Sequence, residues 1–356
     1  MFFMLVLCCV ILTVATFLPI ARWDHWVVRD LDFIRIQVVV LWLLLLVVSG
    51  FVLSGAALIL VALLAVVSIG YEIFWIVPYT RLFSKQVSLC PKEKQDDSRR
   101  IRIVTANVMT PNRDWEKLVT QILDIQPDVV VTLETDLWWQ ERLDILELQH
   151  EYIHTLKCPL DNLYGMHLYS RFPLYDARVQ FLVEDDKPSI VTDIELRDGS
   201  RIKAYFLHPA PPSPTENEKS TERDVELLMV AAEIRDVDRP IIVTGDLNDV
   251  AWSRTTRTFR KISQLLDPRI GRGMFNTFHA KYWFLRWPLD HIFHSDHFVL
   301  RDIFRLQKIG SDHFPLCAEL QLAPELRRDQ KKPDIKQEDR DFYKEEMEKK
   351  DSVKTA

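Results

Sequence analysis

The first 80 residues of this 356-residue chain are almost entirely apolar, and no other feature limits its fold as strongly. Residues 1–20 and residues 36–71 contain no charged side chain. A helix crosses the hydrocarbon core of a bilayer, about 30 Å thick, with about 20 apolar residues. The second stretch would be about 54 Å long as a single helix, which is too long for one upright span. The sequence therefore predicts a membrane-embedded N-terminal region.

Three spans are predicted, near residues 3–20, 36–53 and 56–78, with a turn at Ser54-Gly55 between the last two. One long tilted helix in place of the last two spans is the alternative. A cleaved signal peptide would carry positive charge at its start, whereas the first basic residue here is Arg22. The first helix is therefore expected to be retained in the mature protein.

The distribution of basic residues gives an expectation for orientation in a multi-pass plasma (inner) membrane protein. With three spans, Arg22, Arg29, Arg35 and Arg81 lie on one side of the membrane, and the opposite side has no Lys or Arg. The positive-inside rule then places the rest of the chain in the cytoplasm. A first helix that runs from inside to outside, which is the commoner start, would place it outside. Both sides stay open.

Composition divides the remaining chain into three parts. Residues 81–100 are polar and are interpreted as a linker, and residues 101–322 are interpreted as one soluble catalytic domain. Residues 323–356 carry ten basic and ten acidic side chains, which predicts a disordered tail or a solvated helix. The five cysteines are scattered, without the spacing of a disulfide framework or a zinc site.

The charge of the soluble domain argues against a protein that coats nucleic acid. Residues 101–322 contain 26 Lys and Arg against 34 Asp and Glu, a balance of −8. Proteins that bind nucleic acid tightly and without sequence preference usually carry a net positive charge on the binding domain. An enzyme needs only a local basic patch, so the charge does not exclude a nuclease.

Short β-branched runs recur in the soluble domain, and most of them end in a polar residue of a catalytic type. Such runs are typical of strands buried within a sandwich, and amphipathic helices are predicted between them, near 114–125 and 218–237. The pattern therefore predicts an α/β architecture with helices outside packed sheets. The predicted strands are 101–106 before Asn107, 129–133 before Glu134, 203–207 before His208, 241–244 before Gly245-Asp246-Leu247-Asn248, 290–293, which begins with Asp290-His291, and 314–320, which follows Ser311-Asp312-His313.

These strand-end residues suit the cleavage of a phosphate ester. Glu134 and Asp312, with Asn107, offer the oxygen ligands that a hard cation such as Mg²⁺ prefers. Such a cation would polarise the phosphoryl group. Asp246 or His313 could position or deprotonate an attacking water. A single Asp at a strand end is more often a turn or capping residue, so the prediction depends on the whole ordered set.

The same ordered set resembles the endonuclease/exonuclease/phosphatase superfamily, which includes deoxyribonuclease I, exonuclease III and inositol-polyphosphate phosphatases. The most specific elements are Gly-Asp-x-Asn at 245–248 and Ser-Asp-His at 311–313, and the resemblance covers about residues 101–322. It implies a deoxyribonuclease I-like four-layer α/β sandwich, hydrolysis of phosphate esters, and Mg²⁺ (or Mn²⁺) as the cofactor. It is a resemblance of motif order and spacing.

The resemblance also implies roles for single residues. Asn107, Glu134 and Asp312 match metal and active-centre positions, and Arg171, Asn248 and Arg254 are the expected substrate-binding residues. One departure from the family pattern concerns residues 164–167, which lack the carboxylate that supports the first histidine in deoxyribonuclease-like members. A full general-acid role for that histidine is therefore not implied. The expected catalytic residues are His208, Asp246, Asn248, Asp290 and His313.

Two classes of substrate remain open, nucleic-acid phosphodiesters and lipid-linked phosphates or pyrophosphates. Residues 253–286 are strongly basic and residues 282–287 are rich in aromatic side chains, which suits base stacking or anionic lipid headgroups. Members with three N-terminal helices resemble the teicoplanin-resistance proteins, which implies lipid pyrophosphates. The expected partners are the phosphate-ester substrate and the bilayer, with no obligate protein partner. A catalytically inactive membrane scaffold of the same fold is the alternative function.

Overall fold

The computed structural model describes residues 2–350. Three of its N-terminal helices are long and apolar enough to cross a membrane, and the candidate spans are Phe2–Ile20, Arg35–Val52 and Gly55–Tyr79. Gly55 has a φ of +58°, which permits the sharp reversal between the last two spans. The helices of this region are α1 (Phe2–Phe17), α2 (Trp26–Asp30), α3 (Arg35–Val52) and α4 (Gly55–Ile76).

The three long helices pack around Trp42, whose side chain is fully buried. At the end of the helices nearest the soluble domain, the buried guanidinium of Arg35 donates hydrogen bonds to Glu72, at 2.5 Å, and to Asp32. A buried guanidinium is tolerated when it is paired in this way. This ionic contact joins the start of α3 to the last turns of α4.

The soluble domain consists of two sheets packed face to face. The six-stranded sheet contains β1 (Arg100–Asn107), β2 (Val129–Leu133), β3 (His154–Cys158), β4 (Met166–Ser170), β10 (Phe298–Arg305) and β11 (Leu316–Leu322), in the order β10-β11-β1-β2-β4-β3. The five-stranded sheet contains β5 (Leu174–Phe181), β6 (Pro188–Glu195), β7 (Arg201–Leu207), β8 (Ile241–Asp246) and β9 (Asp290–His294), in that order.

Helices cover the outer face of each sheet. Alternate residues of the central strands face either the partner sheet or the outer helices, so strands such as β1, β2 and β8 contribute to two apolar cores. The predicted four-layer α/β sandwich is therefore confirmed. The outer helices are α5 (Trp115–Ile125), α6 (Leu137–Leu143) and α7 (Ile145–Gln149) on the first sheet, and α8 (Thr221–Arg235) and α9 (Arg254–Ser263) on the second.

Strand register brings the predicted polar residues to one end of the sandwich. β1 runs parallel to β2, with Asn107 opposite Leu133, and β7 runs parallel to β8, with Leu207 opposite Gly245. β9 is antiparallel to β8 and starts at this same end, where Asp290 pairs with Asp246. We call this end, where β1, β2, β7 and β8 finish, the carboxyl end of the sandwich.

The segment expected to be a linker takes part in the fold. Ser88 and Cys90 flank Leu300 in backbone hydrogen bonds of 3.0 and 2.8 Å, and Val87 is buried in the core between the sheets. The edge of β10 is thus covered by chain from the linker. Covering an edge in this way satisfies backbone groups that would otherwise be open to pairing with another molecule.

The C-terminal tail forms a helix, which was one of the two expected alternatives, but one face of this helix packs on the domain and is not solvated. Residues Gln337–Glu348 form α10, whose Phe342 is buried. Lys261 of α9 donates to both carboxylate oxygens of Asp339, at 2.8 and 2.9 Å. The tail is highly charged, but it also contains a few apolar residues. These residues are sufficient to pack one face of α10 against the domain. Residues 351–356 lie outside the described part of the chain.

Candidate active site

Five of the predicted residues meet at the carboxyl end, and two glycines allow the backbone to bring them there. A Cβ on Gly245 would lie 1.9 Å from the carbonyl oxygen of Leu207, and its φ is +147°. A Cβ on Gly165 would lie 1.8 Å from the carbonyl oxygen of Thr135. Side chains at these positions would push apart the strand ends that carry the site. The five residues are Asn107, Glu134, Asp246, Asp290 and His313.

His313 is held between two buried carboxylates. Its Nδ1 lies 2.8 Å from Asp290 Oδ2, and its Nε2 lies 3.5 Å from Asp246 Oδ2. Burial alone would lower the pKa of His313, but Asp290 and Asp246 together raise this pKa to about 10. The imidazole is therefore charged near neutral pH, and it can stabilise negative charge on a phosphoryl oxygen.

Asn107 connects Glu134 to Asp246. Its Nδ2 donates to Glu134 Oε1 at 2.7 Å and to Asp246 Oδ2 at 3.2 Å, while its Oδ1 accepts from the N–H of Met109 at 3.0 Å. Burial raises the pKa of Glu134 to about 7, although the hydrogen bond from Asn107 opposes the shift. Burial likewise raises the pKa of Asp246, against the opposing charge of His313. The pocket thus favours a compensating positive charge.

Asn248 lies in the loop after β8 and fixes that loop to its neighbour. It has a φ of +49°, its N–H donates to Asp246 Oδ1 at 2.9 Å, and its Nδ2 donates to the carbonyl oxygen of Pro209 at 3.0 Å. In this arrangement Asn248 orients Asp246 and the segment that follows His208. For Asn248 to bind a phosphate oxygen as expected, its side-chain amide would have to break the hydrogen bond to Pro209 and donate to the substrate instead.

His208 is buried beside the pocket and has no carboxylate partner. Burial lowers the pKa of His208 to about 4, although nearby Asp246 opposes the shift, and its Nδ1 has no hydrogen bond within residues 2–350. The ring of Tyr164 lies 5.1 Å from the imidazole, and the Tyr164 hydroxyl donates to Glu216. His208 is thus neutral, in keeping with the missing carboxylate at residues 164–167.

Asp312 is half-buried and directly precedes His313 in the chain. Its negative charge raises the pKa values of both Glu134 and His313. Its backbone carbonyl accepts from the N–H of Ala280 at 2.6 Å. This contact joins the Ser-Asp-His segment to residues 278–280, where Phe278 lies beside the imidazole of His313.

The structure corrects one expectation about substrate-binding residues. Ser170 pairs with Val129, at the start of β2, so Arg171 lies at the end of the sheet opposite Glu134. Its guanidinium lies over the ring of Tyr152. Arg254 begins α9 and lies over the ring of Phe342, 4.4 Å from its centroid, and its role in substrate binding stays a prediction.

Several supporting residues escaped the sequence analysis. Arg269 is fully buried, pairs with Asp267, and donates to the backbone carbonyl of Asp290 at 3.3 Å. The ring of Phe278 lies 5.0 Å from the imidazole of His313. Arg269 and Phe278 both belong to the irregular segment between α9 and β9, which has no hydrophobic periodicity from which buried positions could be predicted. Their contact with the site is visible only in the folded structure.

The cluster has the composition of a divalent-cation site. Ligand atoms of Asp246, Asp290 and His313 lie within 4.8 Å of one another. His313 is engaged by carboxylates at both ring nitrogens, so it is a poor ligand here, whereas the oxygens of Glu134 and Asp290 are suitable. Asp290 Oδ1 is buried without a hydrogen-bond partner in the described residues. An acceptor left in this state fits a bound cation.

Comparison with known proteins agrees with the geometry. The family model described as "Endonuclease/Exonuclease/phosphatase family" matches residues 104–313, which is more than half of the chain. The matched segment begins within β1, ends at His313, and includes all five residues of the cluster. Among curated proteins, no match reaches significance.

Solved structures share the fold at low sequence identity. One is an endonuclease/exonuclease/phosphatase from Beutenbergia cavernae, with 18% identity, a TM-score of 0.52, and coverage of 63% of this chain and 72% of that chain. The human Nocturnin catalytic domain with bound sulfate has 18% identity, a TM-score of 0.52, and coverage of 63% and 95%. TDP2 from D. rerio, complexed with a single-strand DNA product, has 15% identity, a TM-score of 0.51, and coverage of 62% and 99%.

Proposed function

The chain belongs to the endonuclease/exonuclease/phosphatase family, and on this premise we propose that it is a membrane-anchored, divalent-metal-dependent phosphoesterase. Family members are hydrolases that act on phosphate esters, so the reaction class follows from membership. The observation that carries the finer proposal is the buried cluster of Asp246, His313, Asp290, Asn107 and Glu134. A scaffold without activity would have no need to bury so many ionisable groups around one pocket.

Asp246 and His313 are assigned complementary tasks in the hydrolysis. The carboxylate of Asp246, oriented by the N–H of Asn248 and by Asn107, accepts a proton from the attacking water. The imidazolium of His313, whose charge depends on Asp290, stabilises the negative charge that grows on a phosphoryl oxygen. A direct hydrogen bond to that oxygen requires Nε2 to exchange Asp246 for the substrate. His208 is neutral and unsupported, so it contributes a hydrogen bond to the substrate rather than a proton to the leaving group.

The family is typically dependent on divalent metals, and the acidic side chains of this pocket fit such a cation. Glu134 and Asp312, with Asn107 beside them, would hold Mg²⁺ or Mn²⁺, and the free oxygen of Asp290 offers a further ligand. The cation would supply positive charge that polarises the phosphoryl group. It would also stabilise the charged form of Glu134, which burial disfavours.

The proposed arrangement of the chain follows from its helices. Residues 1–80 anchor the protein through three spans, residues 81–100 connect the anchor to the domain and cover β10, and residues 101–322 carry catalysis. The tether holds the active site at the bilayer, which favours a lipid-linked phosphate or pyrophosphate as substrate through its high local concentration. Nucleic acid is the second candidate, because the fold of the TDP2 structure holds a single-strand DNA product.

Full-length protein purified in detergent tests the proposal. With Mg²⁺ or Mn²⁺ it should hydrolyse p-nitrophenyl phosphate, its diester, or undecaprenyl pyrophosphate, and EDTA should abolish the activity until metal is restored. Full activity in chelator would contradict the proposed metal dependence. Cleavage of plasmid DNA without release of phosphate from the lipid would favour the second candidate, and inactivity towards every ester would favour a scaffold.

A further inference from the structure

Three loops at the carboxyl end of the sandwich rest on the ends of the membrane helices. In the loop after β7, the N–H of Ser220 donates to the carbonyl oxygen of Asp24 at 2.7 Å. In the loop after β8, the indole of Trp252 donates to the carbonyl oxygen of Asp32 at 2.7 Å. In the loop before β9, Trp287 lies 5.8 Å from the ring of Phe33. The end of the domain that holds the site is therefore the end that faces the membrane.

The loop before β9 carries an exposed aromatic cluster at its far end. Tyr282, Trp283 and Phe284, which we call the aromatic tip, are 50%, 79% and 54% exposed. The side chain of Gln37 donates to the carbonyl oxygen of Phe284 at 2.8 Å. Gln37 is the third residue of α3, so the aromatic tip lies level with the first turn of a candidate membrane span.

The base of the same loop forms a wall of the active site. Phe278 packs beside the imidazole of His313, and the N–H of Ala280 donates to the carbonyl oxygen of Asp312. Only a few residues separate these contacts from the aromatic tip. One loop thus contacts both the catalytic cluster and the first turn of α3.

Other exposed apolar side chains lie at this level around the helix ends. They are Ile20 and Trp23 after α1, Phe74 near the end of α4, and Leu82 beyond it, with exposed fractions of 56%, 62%, 65% and 90%. Large exposed apolar groups on a folded protein mark a surface that is covered in use. Trp and Tyr concentrate at the boundary between headgroups and hydrocarbon. Continuity with the spans identifies the bilayer as the covering partner.

From these contacts we infer that the aromatic tip lies in the interfacial layer of the bilayer that α3 crosses, and that the substrate is a membrane lipid whose headgroup carries a phosphate ester. This inference rests on the proposed phosphoesterase activity; it adds the position of the aromatic tip and selects a lipid substrate over nucleic acid. The headgroup enters the pocket from the membrane surface, while the hydrocarbon part of the lipid stays in the bilayer. A long nucleic acid would have to pass between the loops and the helix ends.

Fluorescence quenching tests the position of the tip without any reference to activity. Full-length protein and the variant Trp283→Phe are reconstituted in phosphatidylcholine vesicles, with and without lipid brominated near the headgroup. The difference between the two proteins isolates the emission of Trp283. We expect this emission to be quenched by the brominated lipid and protected from acrylamide in the aqueous phase. Quenching by acrylamide alone would overturn the inference.

A kinetic comparison tests the substrate class. Dioleoylglycerol pyrophosphate in vesicles and its dihexanoyl analogue in solution present one headgroup in two settings, and phosphate release is measured for both. The double variant Trp283→Ala, Phe284→Ala should lose about tenfold or more in kcat/KM on the vesicle lipid, since two apolar anchors are removed. Its kcat/KM on the soluble analogue should stay within about twofold, because neither residue belongs to the catalytic cluster.

A matched control and the remaining outcomes complete the design. Ile153→Ala removes a side chain that is 66% exposed at the opposite end of the six-stranded sheet, and it should leave both rates unchanged. Equal loss on both esters in the double variant, or hydrolysis of DNA but of neither lipid, would overturn the lipid class. Inactivity of the wild type towards every ester would refute the proposed phosphoesterase activity. The quenching result would still show whether or not the aromatic tip lies in the interfacial layer of the bilayer.

Discussion

At the residue scale, the site depends on ionisable side chains whose charges are set by one another. His313 is charged because Asp290 and Asp246 outweigh the cost of its burial, and Glu134 needs a nearby positive charge to be ionised near neutral pH. His208, without a carboxylate, is neutral. The contrast between the two histidines shows that partners, more than burial, determine which imidazole can act as a cation.

Replacing Asp246 by Asn should separate catalysis from folding. The variant keeps the volume and removes the proton acceptor, so turnover should fall by about 10² or more while the melting temperature changes little. The control Val243→Ala opens a cavity in the buried strand β8 and should destabilise by roughly 1–3 kcal/mol, with normal activity per folded molecule. Normal turnover by the folded Asp246→Asn variant would show that Asp246 is only a structural turn residue and has no catalytic role.

Replacing Asp290 by Asn should change the pH dependence of the reaction. The pKa of His313 is about 10 in the folded protein, so its imidazolium, and the stability it contributes, persist at neutral pH and are lost as the pH rises through that value. Without Asp290 the imidazolium should titrate at a lower pH. The alkaline limb of the profile of kcat/KM against pH should therefore move to lower pH, and an unmoved limb would show that another group controls it.

At the element scale, the sequence predicts the strands in which an apolar run adjoins a polar residue of a catalytic type. The strands that carry Asn107, Glu134, His208 and Asp246 stand out as β-branched runs because outer helices and the partner sheet cover them. β5 is largely exposed and β4 is buried but contains no β-branched residue, so neither strand was predicted. Arg171 was misplaced for a related reason, since a residue at a strand end does not reveal which end of the sheet it occupies.

The tail helix α10 is a second element whose packing could not be predicted from composition, and its contact with the domain can be tested. Phe342→Ala should release α10, because Phe342 is the helix's main buried apolar contact with the domain. Limited proteolysis should then cut the region around residues 330–348 about tenfold faster or more, since a detached helix of 12 residues is marginal in water. Lys344→Ala, on the exposed face of α10, should leave the cleavage rate unchanged.

At the scale of the whole molecule, the anchor and the catalytic domain share buried contacts rather than a free linker. Tyr79 is buried against the loop after β8, where its hydroxyl donates to the carbonyl oxygen of Ala251 at 2.7 Å. Arg29 lies 3.7 Å from Asp224 of α8, and both side chains are buried. The polar composition of residues 81–100 indicated only a linker, because contacts between distant segments leave no trace in local composition.

Deletion of residues 1–80 tests this coupling. The deletion removes Tyr79 and Arg29, leaves the indole of Trp252 without its acceptor, and takes one of its cations from Asp224, which keeps Arg223. The remaining domain should therefore melt several degrees below the full-length protein in the same detergent. It should still hydrolyse a small soluble ester while it is folded. An unchanged melting temperature would show that the contacts between anchor and domain contribute nothing to stability.

The three loops that rest on the helix ends have a consequence for the two leaflets of the membrane. In the proposed membrane arrangement, they hold the active-site end of the domain against one face of the bilayer, and the spans would prevent the domain from turning over to reach the other face. If the substrate is the proposed lipid, a headgroup in the opposite leaflet would lie a bilayer's thickness away from Asp246 and His313, so it would become a substrate only after transfer across the membrane. For a protein of this shape, lipid asymmetry and flipping would regulate turnover as strongly as the chemistry of the site.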